Sequence, residues 1–477
     1  MGKTATVNAS IVLRVRAYRL WHDVLQTMAG KERDYTRGPL VQAIILLAIP
    51  MVLEMAMESL FGVVDIFFVG RLGPEAVAVV GVTETILTLV FATAVGLSSA
   101  ATAMVARRVG AGDRDGASHA AVQAILLGIV ASVVTAAVGI FYAEDLLRMM
   151  GASDETIAFG ANYTRIVFLG SVSIYLLFLV NAIFRGAGDP SLSLRALWLA
   201  NLINMVLDPL LIFGFGPIPA LGLTGAAIAT TLGRGVGVLY QIKLLLEHHG
   251  HLEVGLKHLR PSAAILGTLT RVAWPGMLQF LISSASWLGV VRVLTTFGDA
   301  AIAGYTIALR IVVFAILPSW GLCSAAGTLV GQCLGAKKPE RAEKAVWTAG
   351  LVNLVVMSGA ALIFVIFAPK IVGLFTSDPR AVAEGAETLR YMAYGFPLFA
   401  YGMVISQGFN GAGDTDTPTW MNLASYWCWQ LPLAWFLALQ LEWGSTGVYA
   451  ALGIAEATRG LLGILLFRRG TWKQRKL

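Results

Sequence analysis

Phe184-Arg185-Gly186-Ala187-Gly188-Asp189 recurs 225 positions later as Phe409-Asn410-Gly411-Ala412-Gly413-Asp414. The same displacement carries Pro50 onto Pro275, Gly73 onto Gly298 and Gly110-Ala111 onto Gly335-Ala336. Separate landmarks at one offset mark a doubled unit. In a strongly apolar chain, a doubled unit predicts two helical bundles facing each other. Membrane transporters place their substrate at such a junction.

The chain is apolar enough for that reading. Its 477 residues are 57% hydrophobic and 13% charged, with a mean hydropathy of +0.73. An average soluble domain has about 45–50% apolar and about 25% charged residues. Twelve stretches are long enough to cross a hydrocarbon core as helices. They are Leu40–Val69, Ala76–Val105, Ser118–Tyr142, Phe159–Phe184, Ser191–Phe215, Leu221–Leu246, Leu266–Thr296, Ala301–Val330, Glu343–Ala368, Leu389–Phe409, Pro418–Leu441 and Ser445–Phe467. The fold expected is an all-α membrane protein with twelve transmembrane helices in two six-helix bundles. Residues 39–246 form one lobe and 265–468 the other, joined by a cytoplasmic linker at 247–264. Tails at 1–38 and 469–477 flank them. A β-barrel is excluded, because barrel strands alternate apolar and polar residues over about ten positions.

The formal net charge of +7 does not indicate nucleic acid. With the N-terminus inside, 25 Lys and Arg fall in or close to the inner segments and only Arg71, Arg148, Lys370 and Arg380 in the outer loops. That asymmetry puts both termini in the cytoplasm. The plasma (inner) membrane is the expected location. Cys323, Cys333 and Cys428 have no metal-type spacing and are expected to be unpaired. His248, His249, His251 and His258 fall in the longest polar linker and are expected in a solvated loop. The Gly-Ala-Gly-Asp element offers a helix N-cap, but no Lys-Ser/Thr follows it, so no nucleotide site is expected. No metal cluster or nucleophile constellation points to an enzyme, and no cofactor is implied.

The chemistry lies in charges at membrane depth, which seldom face lipid. Glu54, Glu58 and Asp65 occupy the first span. At about 100° per residue, all three fall on one narrow face. Acids gathered there favour binding a proton or sharing a cation. Asn204 and Asp208 sit one turn apart on the fifth span, followed by Pro209, which frees the Met205 carbonyl. The offset places Gln279, Ser283 and Val290 opposite the three first-span acids, so the second lobe keeps the scaffold without them. Aromatic residues crowd the tenth and eleventh spans. Tyr394, Phe399 and Trp427 are candidates for a pocket that takes a flat organic cation.

At these residues the chain resembles the multidrug and toxic compound extrusion (MATE) family. The resemblance runs from Arg37 to Arg469. Its motifs are Val64-Asp65-Ile66-Phe67-Phe68-Val69-Gly70, Arg185-Gly186-Ala187-Gly188-Asp189, Asn204 through Asp208-Pro209, and Gly225-Ala226-Ala227-Ile228-Ala229-Thr230. It implies alternating access and export of organic cations against sodium or protons. It also implies a cation site at Asp65, Asn204, Asp208 and Thr230, as in the DinF-like branch, with Asn181 as a further polar position. That set would also hold any sodium ion. The seventh and tenth spans lack the acids of the NorM-like branch. Glu54 and Glu58 match no family position and are expected to line an additional acidic cavity. The expected protein is a monomer in a lipid bilayer that handles small organic cations. The alternative is a flippase for a lipid-linked precursor, which calls for a cationic cavity.

Overall fold

The computed structural model describes residues 22–28, 30, 33–247 and 251–477. Residues 1–21 of the expected tail, with His248 and His249, lie outside the described residues. The first lobe comprises α1 (Leu40–Val69), α2 (Pro74–Gly110), α3 (Arg114–Met149), α4 (Asp154–Leu169) continued by α5 (Ser171–Ala187), α6 (Pro190–Phe213) and α7 (Leu223–Leu246). The second comprises α8 (Ala263–Leu294), α9 (Asp299–Gly335), α10 (Pro339–Val372) and α11 (Pro379–Gly411). There follows a mixed span of α12 (Asp416–Asn422), a π-helical stretch (Leu423–Gln430), α13 (Leu431–Trp435) and a second π stretch (Phe436–Gln440). α14 (Ser445–Arg468) completes the lobe. Among the described residues, nine spans are long and apolar enough to cross a membrane on composition alone. The remaining three are α7, α11 and the mixed span, which carry more glycine, charge or tryptophan.

Side-chain caps fix several helix starts. Asp113 accepts from the Gly116 amide at 2.8 Å, Ser153 from Thr156 at 3.2 Å and Asp378 from Arg380 at 3.0 Å. Asp189 does not cap α6 as the sequence suggested. Its carboxylate instead accepts from the backbone amide of His251 at 3.2 Å and meets the imidazole at the same distance. Asp414, the second copy of that aspartate, takes Arg475 at 3.1 Å. In each lobe the chain leaving the last helix folds back onto the aspartate of the repeated motif.

The described part of the linker, from His251 on, is therefore docked, against the expectation of a solvated loop. His258 is 2% exposed, and its carbonyl accepts from Gln123 at 2.9 Å. Its ring lies 3.1 Å from Asp115. Gln123 is wholly buried in α3, so its amide needs these carbonyls as partners.

The lobes join near the end of the bundle that carries both terminal segments, here termed the basic end. The first turns of α1 pack in the other lobe's core: Ile44, Leu47 and Met51 cluster with Leu322, Leu329 and Val330 of α9. Reciprocally, Leu269, Val272 and Ala273 of α8 join the first lobe's core. Hydrogen bonds follow the same pattern: Thr328 donates to the Arg185 carbonyl at 3.2 Å and Gln332 to that of Gly186 at 3.1 Å. Arg341 binds the carbonyls of Tyr35, Arg37 and Gly38, while Arg195 of α6 holds the Met28 carbonyl at 2.7 Å. Toward the far end, Val63, Ile66 and Phe67 of α1 and Trp287 and Leu288 of α8 are exposed.

The repeat sets the closeness of this joint. A Cβ on Gly110 would sit 2.0 Å from the Gln332 carbonyl oxygen, and one on Gly335 would sit 1.9 Å from that of Arg107. These glycines are repeat partners, and α2 and α9 cross backbone to backbone through them. Gly335→Ala is therefore expected to lower the thermal unfolding temperature in detergent, with an overpacking cost of about 1–3 kcal/mol. Gly359→Ala on α10 has open space around it and should leave that temperature unchanged.

Candidate functional site in the first lobe

The three first-span acids do point into the bundle, but each meets a different partner. Glu54 is 1% exposed and forms an ion pair with Arg185 of the repeated motif. Glu58 lies 3.8 Å from Arg234 of α7, whose guanidinium covers the Phe61 ring at 4.6 Å. Asp65 accepts a hydrogen bond from the Thr230 hydroxyl at 3.1 Å. The expected acidic stack thus resolves into two arginine pairs and one carboxylate held by a neutral donor. The arginines offset charge that burial would otherwise make costly.

Asn204 and Asp208 are both fully buried on α6, and Asn204 donates to Asp208 Oδ1 at 3.1 Å. Asp208 Oδ2 and Asn204 Oδ1 are buried without any hydrogen-bond partner. Pro209 lies inside the same helix and cannot donate to the Met205 carbonyl. Two orphaned oxygens from neighbouring side chains suit a hard cation, which takes oxygen ligands. A proton on Asp208 would satisfy the carboxylate equally well.

Asp65 and Asp208 lie within electrostatic reach of each other. Glu84 of α2 and the buried Tyr163 of α4 share the neighbourhood with Arg234. Tyr163 carried no sequence signal: it is one tyrosine in an apolar helix. Next to it, the buried hydroxyls of Thr83 and Thr164 bond to each other at 2.9 Å.

Asn181 is placed elsewhere. Its side-chain oxygen accepts from Gln241 at 2.6 Å and its backbone carbonyl from Ser193 at 3.1 Å. Gln241 is eleven residues along α7 from Thr230, about 16 Å of helix rise. Asn181 therefore belongs to a polar layer nearer the basic end.

The three aromatic candidates of the second lobe also have separate surroundings. Tyr394 is 62% exposed, beside Tyr391 in a groove with Pro369, Glu387 and Arg390. Trp427 is 42% exposed and donates to the Ile282 carbonyl at 3.1 Å. Phe399 lies under the Arg459 guanidinium at 5.4 Å. Tyr394 and Phe399, five residues apart on α11, differ by about 140° around the helix and so do not share a face. Among the described residues, no group of three or more His, Cys, Asp or Glu side chains is placed to hold a metal.

The Glu54–Arg185 pair has a neutral repeat equivalent, Gln279 and Asn410. Glu54→Gln strands a buried arginine and should destabilise the protein by about 3–5 kcal/mol. The double variant Glu54→Gln/Arg185→Asn installs the second lobe's residues and should recover most of that loss. Denaturant unfolding of the single and double variants measures the coupling.

Comparison with known proteins agrees with the repeat. The MatE family model matches twice, over residues 50–210 and 275–436. "Probable multidrug resistance protein YpnP" of Bacillus subtilis (strain 168) is 25% identical over 449 residues, covering 94% of this chain and 99% of the relative. An "FAD transporter" of Shewanella oneidensis is 26% identical over 437 residues, covering 91% and 95%. A solved structure described as the outward-facing conformation of a multidrug resistance MATE family transporter is 28% identical. It superposes with a TM-score of 0.86 over 94% of this chain and all of the other. With both halves matched by one family model and the whole architecture shared, the chain belongs to the MatE (multidrug and toxic compound extrusion) family of multi-pass membrane transporters.

Proposed function

We propose that this transporter is a secondary active exporter. It moves amphipathic organic cations out across the plasma (inner) membrane, in exchange for protons or sodium, by alternating access of its two lobes. One observation carries the reading. Asp65 and Asp208 take their hydrogen bonds from neutral donors, Thr230 and Asn204, while the nearby Arg234 is paired with Glu58. A carboxylate pair without its own arginine stays available to a proton or a cation. Loading that site removes charge from the far half of the first lobe and changes how α1, α6 and α7 pack.

The coupling cannot exceed the ion's difference in affinity between the two lobe arrangements. The asymmetry of Lys and Arg favours a cytoplasmic basic end. The cross-lobe core contacts of α1 and α8 lie at that end, which supports an outward-facing arrangement. The relatives named for multidrug resistance support organic cations as substrates. The flippase alternative calls for a cationic cavity, whereas Arg185 and Arg234 are each engaged by an acid.

The test is ethidium efflux from proteoliposomes under an imposed sodium gradient and then an imposed pH gradient. One gradient should drive export by the wild-type protein. Asp65→Asn and Asp208→Asn should each reduce it to background, while the protein still inserts and elutes as a single species. Normal extrusion by both variants would refute the coupling site.

A further inference from the structure

The second lobe lacks acids on its first helix, but it is not without a carboxylate at mid-membrane. Glu456 lies eleven residues into α14, and its side chain is 24% exposed. The exposed apolar stripe of α14 runs through Ile454, Leu461 and Leu465. At about 100° per residue, Glu456 lies roughly 160° from that stripe, so it faces into the protein. Its Oε1 accepts from the Tyr426 hydroxyl at 3.0 Å and its Oε2 from Arg459 Nε at 3.1 Å. Arg459 is 5% exposed. Its guanidinium lies over the Phe399 ring at 5.4 Å and the Tyr426 ring at 5.6 Å. Asn422 bridges the cluster to α8, accepting from Arg459 at 3.4 Å and donating to Ser283 at 2.9 Å.

Two further observations set this place apart. The last helices of the two lobes start alike, after Gly222 (φ 55°) and Gly444 (φ 63°). Counted from those starts, Glu456 takes the position of Arg234. Ser283, which Asn422 links to Arg459, takes that of Glu58 in the 225-residue repeat. The first lobe thus has an acid on the first helix and a base on the last, and the second lobe reverses the charge on the last helix. Second, Tyr426 sits within the π-helical stretch Leu423–Gln430, whereas the matching α6 is α-helical throughout. π turns in α-helices concentrate at functional sites.

We infer that Glu456 is a substrate-recognising carboxylate of the second lobe, which accepts hydrogen bonds from a protonated amine or amidinium on the transported molecule. This inference rests on the exporter reading above. Arg459 is too buried to meet a ligand, and it compensates the carboxylate's charge from behind. Each Glu456 oxygen has one protein donor and retains acceptor capacity for an incoming N–H. A forked amidinium matches that geometry best. Glu456 would thus select for substrate, while Asp65 and Asp208 couple the ion.

The probes are 4′,6-diamidino-2-phenylindole, an amidinium cation, and tetraphenylphosphonium, a cation without N–H donors. Transport by wild-type protein, Glu456→Gln and Glu456→Gln/Arg459→Met is measured in proteoliposomes. The double variant avoids a stranded arginine. Both variants should raise KM for the amidinium roughly tenfold or more, the loss of charge-assisted hydrogen bonds. KM for tetraphenylphosphonium should rise less, and the driving ion should stay the same. Unchanged amidinium KM in both variants would remove Glu456 from the binding site. An equal rise for both probes would overturn the hydrogen-bond assignment. Failure of the wild type to move either probe would overturn the exporter reading along with it.

Discussion

A carboxylate held inside a bilayer must find its partner within the protein, because lipid offers neither water nor counter-charge. The buried or half-buried acids of α1 and α6 meet that demand in one of two ways. Glu54 and Glu58 have arginines from other helices. Asp65 and Asp208 have only a hydroxyl and an amide as direct partners. The first arrangement sets a counter-charge beside the carboxylate and ties two helices together. The second supplies hydrogen bonds without counter-charge by direct contact. Glu456 combines the two, with a buried arginine behind and a tyrosine hydroxyl beside it.

The repeat supplies the scaffold on which these differences are written. Prolines recur inside α1 and α8, and Gly110 and Gly335 each meet the backbone of the opposite helix where the lobes cross. The basic half of each lobe's first helix packs in the opposite lobe, so the joint at that end is part of both cores. The segments outside the helices reinforce it. Trp472 is fully buried and stacks on Phe467 at 4.6 Å, and Lys473 reaches Glu343 at 2.5 Å. α1 carries Asp65 toward one end and cross-lobe core contacts at the other, so it links the candidate site to the joint.

The twelve spans were legible because apolar length has few other meanings, and their predicted limits fall within or close to the observed helices. The linker was misread as solvated. His251 and His258 look polar in sequence, yet Asp189 holds the first and Gln123 the carbonyl of the second against the bundle. The π turns of the eleventh span were not legible, since nothing in Leu423–Gln430 differs in pattern from an aromatic-rich α-helix.

The sequence by itself determined the doubling, the membrane class, and which acids share a face of α1, because these follow from offsets, composition and helical angle alone. Only the tertiary structure decided which of those acids meet an arginine and which a neutral donor. Arg185 is 131 positions from Glu54, and Thr230 is 165 positions from Asp65. No local pattern links residues so far apart. Asn181 shows the same limit from the other side: it is polar and buried as expected, but helix depth joins it to Gln241 and away from Asp208. Depth in the bundle depends on where each helix starts and how it packs, and that is settled only when the lobes assemble.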